Sequence, residues 1–310
     1  MSKNILSITF IALIFSLFFL SCEQKQEKKS KQTVAVSSYV LYDMVRSIAE
    51  STIDIVNIIP IGTDIHSFEP TPKVMSKVEN ADIVFYNGAG LEPWISTFHF
   101  KSKSVGLANF LRLKSLQDKN QEHNHEHHDG HCSHTSFDPH IWFDIENMLQ
   151  MLEIISYELI TLQPHHKDVY LINKQKYAKM LRTLDNAYKN RLSSCKLDVI
   201  ITDHNAFSYL GENYNFTIET LSGFSPDAET SPKDVIRIID QVKEKKVPVI
   251  FFENFNSDRS MKSVAQQTGV RLDSLHPLGN ITLKDQENNR NYKSIMEENL
   301  EKISKALMCQ

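Results

Sequence analysis

The chain has 310 residues, 34 basic and 38 acidic, and a formal net charge of −4 at pH 7. This slightly acidic balance argues against nucleic-acid binding, which requires a basic surface. With 41% hydrophobic residues, the chain can bury the core of one large domain or of two modest lobes.

The first 21 residues have the pattern of an export signal. Lys3 precedes an apolar run from Ile5 to Leu20, which is short for a membrane span of roughly 20 residues. We predict that residues 1–21 form a signal peptide that is removed.

The signal ends at Cys22, in a setting that resembles the bacterial lipobox, whose cysteine is acylated and becomes the mature N-terminus. Phe19 stands where that motif usually has leucine, so ordinary cleavage or an uncleaved anchor remains an alternative. Residues 22–32 are polar after the cysteine and are predicted to form a flexible tether. We expect an exported protein, lipid-anchored at the periplasmic or cell-surface face of a membrane.

Strands alternate with helices through residues 33–164, which we assign to an N-terminal lobe. Strands are predicted at 33–37, 53–59, 82–86 and 104–107, and helices at 39–50 and from Thr71-Pro72 onward. Such alternation is typical of an α/β fold with a parallel sheet.

A long helix is predicted within residues 165–194, because apolar residues recur at three- and four-residue steps from His166 to Arg191. At 1.5 Å per residue it would be about 40 Å long and could connect two lobes rigidly. The alternation then resumes in a C-terminal lobe, residues 195–310. Its strands are predicted at 198–202, 216–219, 248–253 and 270–275, and its helices at 206–212, from Ser231-Pro232, at 258–268 and at 292–307.

Four of the thirteen histidines lie in polar or proline-containing turns, mostly just after a predicted strand. They are His66, His140, His204 and His276. A single loop histidine is usually a solvated side chain, but four in similar places favour a shared site at the carboxyl edges of the sheets. Three or four neutral imidazoles suit tetrahedral Zn²⁺. The separations of 74, 64 and 72 residues predict a site between the lobes, with two ligands from each.

Nearby carboxylates could accept the second ring N–H of these histidines and so orient the rings. The candidates are Glu69, Asp138, Asp144 and Asp203.

Residues 121–135 form a second histidine cluster, which has no apolar residue to anchor it. Its histidines are His123, His125, His127, His128, His131 and His134. We predict a mobile loop that collects zinc with low affinity or senses its supply. A solvated loop that binds metal incidentally is the alternative.

Two further cysteines, Cys195 and Cys309, could form a disulfide in an exported chain. The sequence provides no distance by which to test this pairing.

Five segments in their order along the chain resemble the cluster A-I metal-binding proteins of bacterial ABC importers, of the zinc-uptake type. They are His66-Ser-Phe-Glu-Pro70, Asp138-Pro-His-Ile-Trp-Phe-Asp144, Asp203-His-Asn-Ala-Phe-Ser-Tyr209, Val249-Ile-Phe-Phe-Glu253 and Pro277-Leu-Gly279. The resemblance implies two lobes, each with a parallel four-stranded sheet flanked by helices, joined by one long helix with metal in the cleft. It also implies a monomer that delivers metal to a permease with an ATPase subunit.

The resemblance carries three histidine ligands over to His66, His140 and His204. The fourth position departs from the family, since relatives often have Asp where this chain has His276 before Pro-Leu-Gly. His276 could complete an all-nitrogen site, or leave the fourth position to water or to a carboxylate such as Asp273. Nitrogen ligands favour Zn²⁺ over Mn²⁺, although a manganese- or iron-type member of the family remains an alternative.

Two other functions compete with zinc import. A zinc hydrolase would need Glu69 or Glu253 as its base, but the chain has no His-Glu-x-x-His motif, and we expect no enzyme. An adhesin or a zinc-buffering lipoprotein could keep the same site, and the sequence hardly separates these from an importer component.

Overall fold

The structure is a computed structural model that describes residues 31–116, 137–223, 230–254 and 259–310. The predicted signal peptide, Cys22, almost all of the tether and the histidine-rich loop lie outside these ranges. Residues 32–310 form one compact unit. Across the described ranges, every helix is too short or too polar to cross a bilayer.

The N-terminal lobe contains the predicted parallel sheet. Its strands are β1 (Thr33–Val36), β2 (Asp54–Asn57), β3 (Ile83–Tyr86) and β4 (Lys103–Gly106), in the order β2-β1-β3-β4. Helix α1 (Tyr39–Ala49) begins at an N-cap serine, and α2 (Pro72–Glu79) begins at Thr71 with proline in its first turn, as cap preferences dictate. The chain order reverses between β1 and β3, where parallel sheets bind ligands.

Two long helices follow, of which one is as predicted and one is unexpected. Helix α4 (Lys167–Arg191) has 25 residues and buries one stripe of tyrosines and leucines, which confirms the predicted long helix. Helix α3 (Ile145–Leu162) precedes it and was not predicted. Its side chains are apolar on more than one side, because it packs against α1 and α4 together. Its exposed residues nevertheless form one stripe at helical spacing, Glu146, Gln150, Glu153, Tyr157 and Thr161, so the sequence carries a helical period that the prediction missed.

Four strands and five helices lie in the described residues of the C-terminal lobe. The strands are β5 (Val199–Thr202), β6 (Thr217–Thr220), β7 (Val249–Glu253) and β8 (Arg271–Leu275). The helices are α5 (Ser208–Tyr214), α6 (Pro232–Lys245), α7 (Arg259–Thr268), α8 (Leu283–Glu287) and α9 (Tyr292–Ala306).

The four C-terminal strands differ from the expected continuous sheet in one respect. Within the described residues they form two hydrogen-bonded parallel pairs, β5-β6 and β7-β8, with β5 beside β7. The chain order again reverses at this junction, so the ends of β5 and β7 open onto one crevice.

A shared core joins the two lobes, and a disulfide closes the C-terminal lobe. The largest hydrophobic cluster includes residues of both lobes and of α4, such as Leu181 and Tyr188. Truncation of a buried leucine of this kind typically costs about 2–5 kcal/mol. The Cys195–Cys309 disulfide, a pairing that the sequence left open, is present and links the beginning of the second lobe to the C-terminus.

Candidate metal centre

Three of the four predicted histidines meet at the crevice between the lobes. The ring centroids of His66 and His140 are 5.2 Å apart, those of His66 and His204 5.7 Å, and those of His140 and His204 5.5 Å. The trio is almost equilateral, and its ligand atoms all lie within 4.8 Å of one another.

Each histidine is held by an aspartate just before it in the chain. Asp64 Oδ1 accepts the backbone N–H of His66 at 2.7 Å, and Asp138 Oδ1 accepts that of His140 at 3.0 Å. Asp203 Oδ1 accepts the backbone N–H of His204, also at 3.0 Å. Turns of this kind fix the backbone locally, so the three rings are presented by short, preorganised loops.

The spacing of the ring nitrogens matches one shared ion. The Nε2 atoms of His66 and His140 are 3.3 Å apart. Two nitrogens bound at 2.0–2.1 Å to a tetrahedral Zn²⁺ would be separated by about 3.3 Å. A hydrogen bond between two neutral rings would give a similar distance, but it would not account for the third ring.

Asp138 orients the ring of His140. Its Oδ1 atom is 2.8 Å from His140 Nδ1, and its Oδ2 atom accepts a hydrogen bond from the Ser208 hydroxyl. Both members of the Asp138–His140 pair are almost completely buried. The carboxylate therefore accepts a hydrogen bond from the N–H at Nδ1, and the Nε2 lone pair faces the other two rings.

Glu253 makes the corresponding approach to His204. It ends β7, is 3% exposed, and its Oε1 atom lies 2.9 Å from His204 Nδ1. The approach is not aligned as a hydrogen bond, because both ring nitrogens of His204 and Oε1 of Glu253 lack a hydrogen-bond partner. Buried polar atoms of this kind call for an explanation. A cation bound at Nε2 of His204 would use one nitrogen, and the N–H at Nδ1 could then donate to Glu253.

The charges at the site also suit a cation. Burial, together with the neighbouring rings of His140 and His204, lowers the pKa of His66 to about 2. Burial likewise lowers the pKa of His204, against the opposing effect of Asp203. The two imidazoles are therefore neutral and able to bind metal at pH 7.

The pKa of Glu253 is shifted in the opposite direction. Burial and the nearby Asp203 raise the pKa of its carboxyl group well above the usual range. A divalent ion in the crevice would favour the ionised form again.

A small cavity of about 10 Å³ lies beside the rings and is lined by residues of both lobes. This is near the smallest volume that holds one water molecule, which is the scale of a single bound ion. The residues around it include His66, His140, Glu253, Trp142 and Gly279.

His276 does not join the trio. It is 3% exposed, its Nδ1 accepts the N–H of Leu278 at 3.0 Å, and its Nε2 is 3.3 Å from Asp285 Oδ2. The suggested substitute Asp273 lies instead near Lys302 and Arg271. The all-nitrogen site expected with His276 is therefore not supported by this arrangement, because that ring already uses both nitrogens.

Of the four predicted carboxylates, two lie at the metal centre and two do not. Asp138 and Asp203 lie at the site, whereas Asp144 caps α3 through Asn147 and accepts from Asn213. Glu69 is exposed, and among the described contacts none joins it to a site histidine.

Neither Glu253 nor Asp64 was predicted from the sequence as a residue of the metal centre. Glu253 could have been found because it ends an apolar strand in the lobe of His204. Asp64 precedes His66 at the same spacing as Asp138 precedes His140.

A family model described as the periplasmic component A of the zinc-uptake complex, ZnuA, matches residues 34–306. The zinc-binding lipoprotein AdcA of Streptococcus pneumoniae strain R6 is 29% identical over 299 residues, which are 94% of this chain and 59% of AdcA. The high-affinity zinc uptake system protein ZnuA of Bacillus subtilis strain 168 is 28% identical over 285 residues, 91% of this chain and 89% of that protein. The chain thus spans about three fifths of the AdcA proteins it matches.

Solved structures show the same fold. The Zn(II)-bound ZnuA-like domain of Streptococcus pneumoniae AdcA superposes with a TM-score of 0.74 at 28% identity, covering 89% of this chain and 99% of that domain. The laminin-binding protein Lmb of Streptococcus agalactiae, described as having adhesin and metal transporting activity, gives a TM-score of 0.76 at 27% identity. That match covers 89% of this chain and 99% of Lmb.

Proposed function

The chain belongs to the periplasmic zinc-uptake component A family, and on that premise we propose that it is the extracytoplasmic metal-binding component of an ABC importer. It captures Zn²⁺ in the crevice between its lobes and delivers it to a membrane permease that is driven by an ATPase subunit. Export and acylation of Cys22 would keep the protein at the membrane surface.

In this proposal Zn²⁺ is bound by the Nε2 atoms of His66, His140 and His204. The observation that carries it is the near-equilateral trio of rings, with two nitrogens 3.3 Å apart. An oxygen donor, water or Glu253, takes the fourth position. Three nitrogen ligands favour zinc over the harder Mn²⁺, which prefers oxygen.

The carboxylates of Asp138 and Glu253 offset the charge of the ion. Neither needs to move far, because each is already within 3 Å of the Nδ1 atom of a ligand ring. Carboxylate partners of this kind raise the basicity of a metal-bound imidazole and fix its tautomer.

The direct test is metal analysis followed by competitive titration with Zn²⁺ and Mn²⁺. We expect one tightly bound zinc per chain, retained when residues 122–134 are deleted. The binding free energy of a structural zinc site is about 10–16 kcal/mol, shared among four ligands. Loss of one ligand in His140→Ala should therefore lower the zinc affinity by more than about 100-fold. The matched control is His99→Ala, which removes an exposed histidine. Normal binding by alanine variants of His66, His140 and His204 would refute the ligand set.

Transport is tested in cells. A strain that lacks the protein should need more zinc to grow in the presence of a chelator, and His140→Ala should fail to restore growth. Unchanged zinc uptake in the deletion strain would rule out the importer role.

Adhesion is a second candidate function, favoured by the similarity to Lmb. It predicts saturable binding of the purified protein to laminin that persists in His140→Ala. No binding above that of an unrelated lipoprotein would exclude it.

A further inference from the structure

A short segment of the C-terminal lobe, residues 277–281, bridges to the N-terminal lobe beside the metal centre. We call it the bridging segment. Pro277 O accepts the indole N–H of Trp142 at 2.9 Å, and Gly279 O accepts the N–H of Tyr39 at 3.0 Å. Trp142 is two residues from His140, and their rings lie 5.5 Å apart. The bridging segment thus holds the loop that carries one predicted ligand.

The same segment holds the loop that leads to His66. The Asn280 side chain donates to Pro60 O at 2.7 Å and to Thr63 O at 2.8 Å. Ile281 O accepts the N–H of Gly62 at 2.9 Å. The ligands of the N-terminal lobe are therefore positioned partly by residues of the other lobe.

The backbone of the bridging segment is strained at its second residue. Leu278 has a φ of +64° and is completely buried. A branched side chain disfavours this left-handed conformation, which persists only where the surroundings enforce it and which is concentrated at functional sites.

His276 enforces that conformation from the C-terminal lobe. Its Nδ1 accepts the N–H of Leu278, and its backbone is fixed on both sides by the Asn299 side chain, at 3.0 and 2.9 Å. Its Nε2 faces Asp285, a carboxylate that also accepts from Thr282 and Arg290.

The protonation of this pair leaves no nitrogen of His276 for a metal. Burial alone would raise the pKa of Asp285, but hydrogen bonds from His276 and Thr282 hold it well below its usual range. Because Asp285 is ionised, the ring proton is on Nε2 of His276 and the Nδ1 lone pair accepts from Leu278. Each ring nitrogen is committed within the lobe.

We propose that His276 is a positioning residue for zinc capture rather than a ligand. It acts through the bridging segment, which sets the loops of His66 and His140 against the lobe that carries His204. The inference rests on the proposed zinc function.

The test separates positioning from ligation by counting imidazoles. X-ray absorption of the zinc-loaded protein should fit three imidazoles in the wild type and still three in His276→Ala. The zinc dissociation rate of His276→Ala should rise by about 10- to 100-fold, as for loss of other indirect partners.

His276→Asn is the conservative variant. Its side-chain oxygen can replace Nδ1 as the acceptor for Leu278, so we expect a dissociation rate within about threefold of wild type. A ligand would not be rescued in this way.

Asn280→Ala tests the other end of the bridging segment without changing His276. It should raise the dissociation rate as His276→Ala does, and the double variant should be no faster than the quicker single variant, because both act through one element. If His276→Ala does not fold, the imidazole count is made in His276→Asn, which should still fit three imidazoles.

Four imidazoles in the wild type and three in His276→Ala would overturn the inference and leave the zinc function intact. Unchanged dissociation rates in both alanine variants would overturn it as well. A wild-type protein that binds no zinc would refute the zinc function and this inference together.

Discussion

Nδ1 of His140 lies 2.8 Å from Oδ1 of Asp138, and both side chains are almost completely buried. Asp138 also receives the Ser208 hydroxyl from the lobe of His204. A single carboxylate thus sets the orientation of one ligand ring and connects it to the lobe that supplies another.

Replacing Asp138 by Asn should weaken zinc binding by about 10- to 100-fold, because an amide cannot hold the Nδ1 proton with a full negative charge. Chelator competition measures the loss. Asp240→Asn, on an exposed face of α6, is the matched control and should bind zinc like the wild type. An Asp138→Asn affinity equal to that of the control would show that the carboxylate does not support the ring.

Zinc binding should release a proton that comes from Glu253. Burial lowers the pKa of His66 to about 2 and also lowers the pKa of His204, so these two rings hold fewer protons at pH 6 than ordinary histidines. Burial raises the pKa of Glu253 well above its usual range, so its carboxyl group keeps its proton to higher pH than an ordinary glutamate and ionises when the ion enters.

Calorimetry in two buffers of different ionisation enthalpy counts this proton. Glu253→Gln should abolish the release. Ordinary histidines of pKa about 6.5 would instead release about two protons per zinc at pH 6 and few at pH 8. A release of about two protons at pH 6 that is unchanged in Glu253→Gln would contradict the assignment to Glu253.

The Cys195–Cys309 disulfide should stabilise the fold without affecting the metal centre. The bond closes a loop across 114 residues, and constraints of this kind typically contribute about 2–4 kcal/mol. The double variant Cys195→Ser, Cys309→Ser should lose about that much free energy of unfolding in urea. Its zinc affinity should stay within about twofold of wild type, and a tenfold loss would show that the disulfide supports the site.

The regular elements of this chain could be predicted because their patterns are local. The tyrosine and leucine stripe of α4 repeats at helical spacing, and most strands are short apolar runs bounded by turns. Helix α3 was missed although its buried residues Ile145, Met148, Leu152, Ile155 and Leu159 recur at helical spacing. Asn147, Ser156 and Glu158 blur this pattern, because they are polar residues that are buried by packing against residues far along the chain.

The site shows the same division between local and distant causes. His66, His140 and His204 follow turns that the sequence reveals. The direction of the His276 ring is decided by the backbone of Leu278 and by Asp285, nine residues further on. The position of His276 after a strand therefore suggested a metal ligand, although Leu278 and Asp285 contact both nitrogens of its ring.

Asp43 should make the stability of the metal-free protein depend on pH. Its Oδ2 accepts the hydroxyl of Tyr177 at 2.8 Å, linking α1 to α4. Burial raises the pKa of this carboxyl group from 3.8 to about 6, although hydrogen bonds from Tyr177 and the Tyr292 backbone oppose the shift. The folded protein therefore binds more protons than the unfolded chain between about pH 4 and pH 6.

The free energy of unfolding of the wild type consequently falls as pH rises through that window, because the buried carboxyl group has to ionise. This loss reaches its full size above about pH 6. A shift of about two units corresponds to about 3 kcal/mol. Asp43→Asn removes the ionisation. The free energy of unfolding of this variant should therefore increase relative to that of the wild type by about 2–3 kcal/mol as pH rises from 4 to 7.

Urea unfolding of both proteins at several pH values measures this difference, and the comparison cancels the contributions of His66 and other groups. Asp240→Asn serves as the control, because an exposed carboxylate should give a difference that is nearly constant with pH. A constant difference for Asp43→Asn would show that Asp43 keeps an ordinary pKa in the folded protein. A difference that changes in the opposite direction would mean that Tyr177 and Tyr292 stabilise its charge more than burial disfavours it.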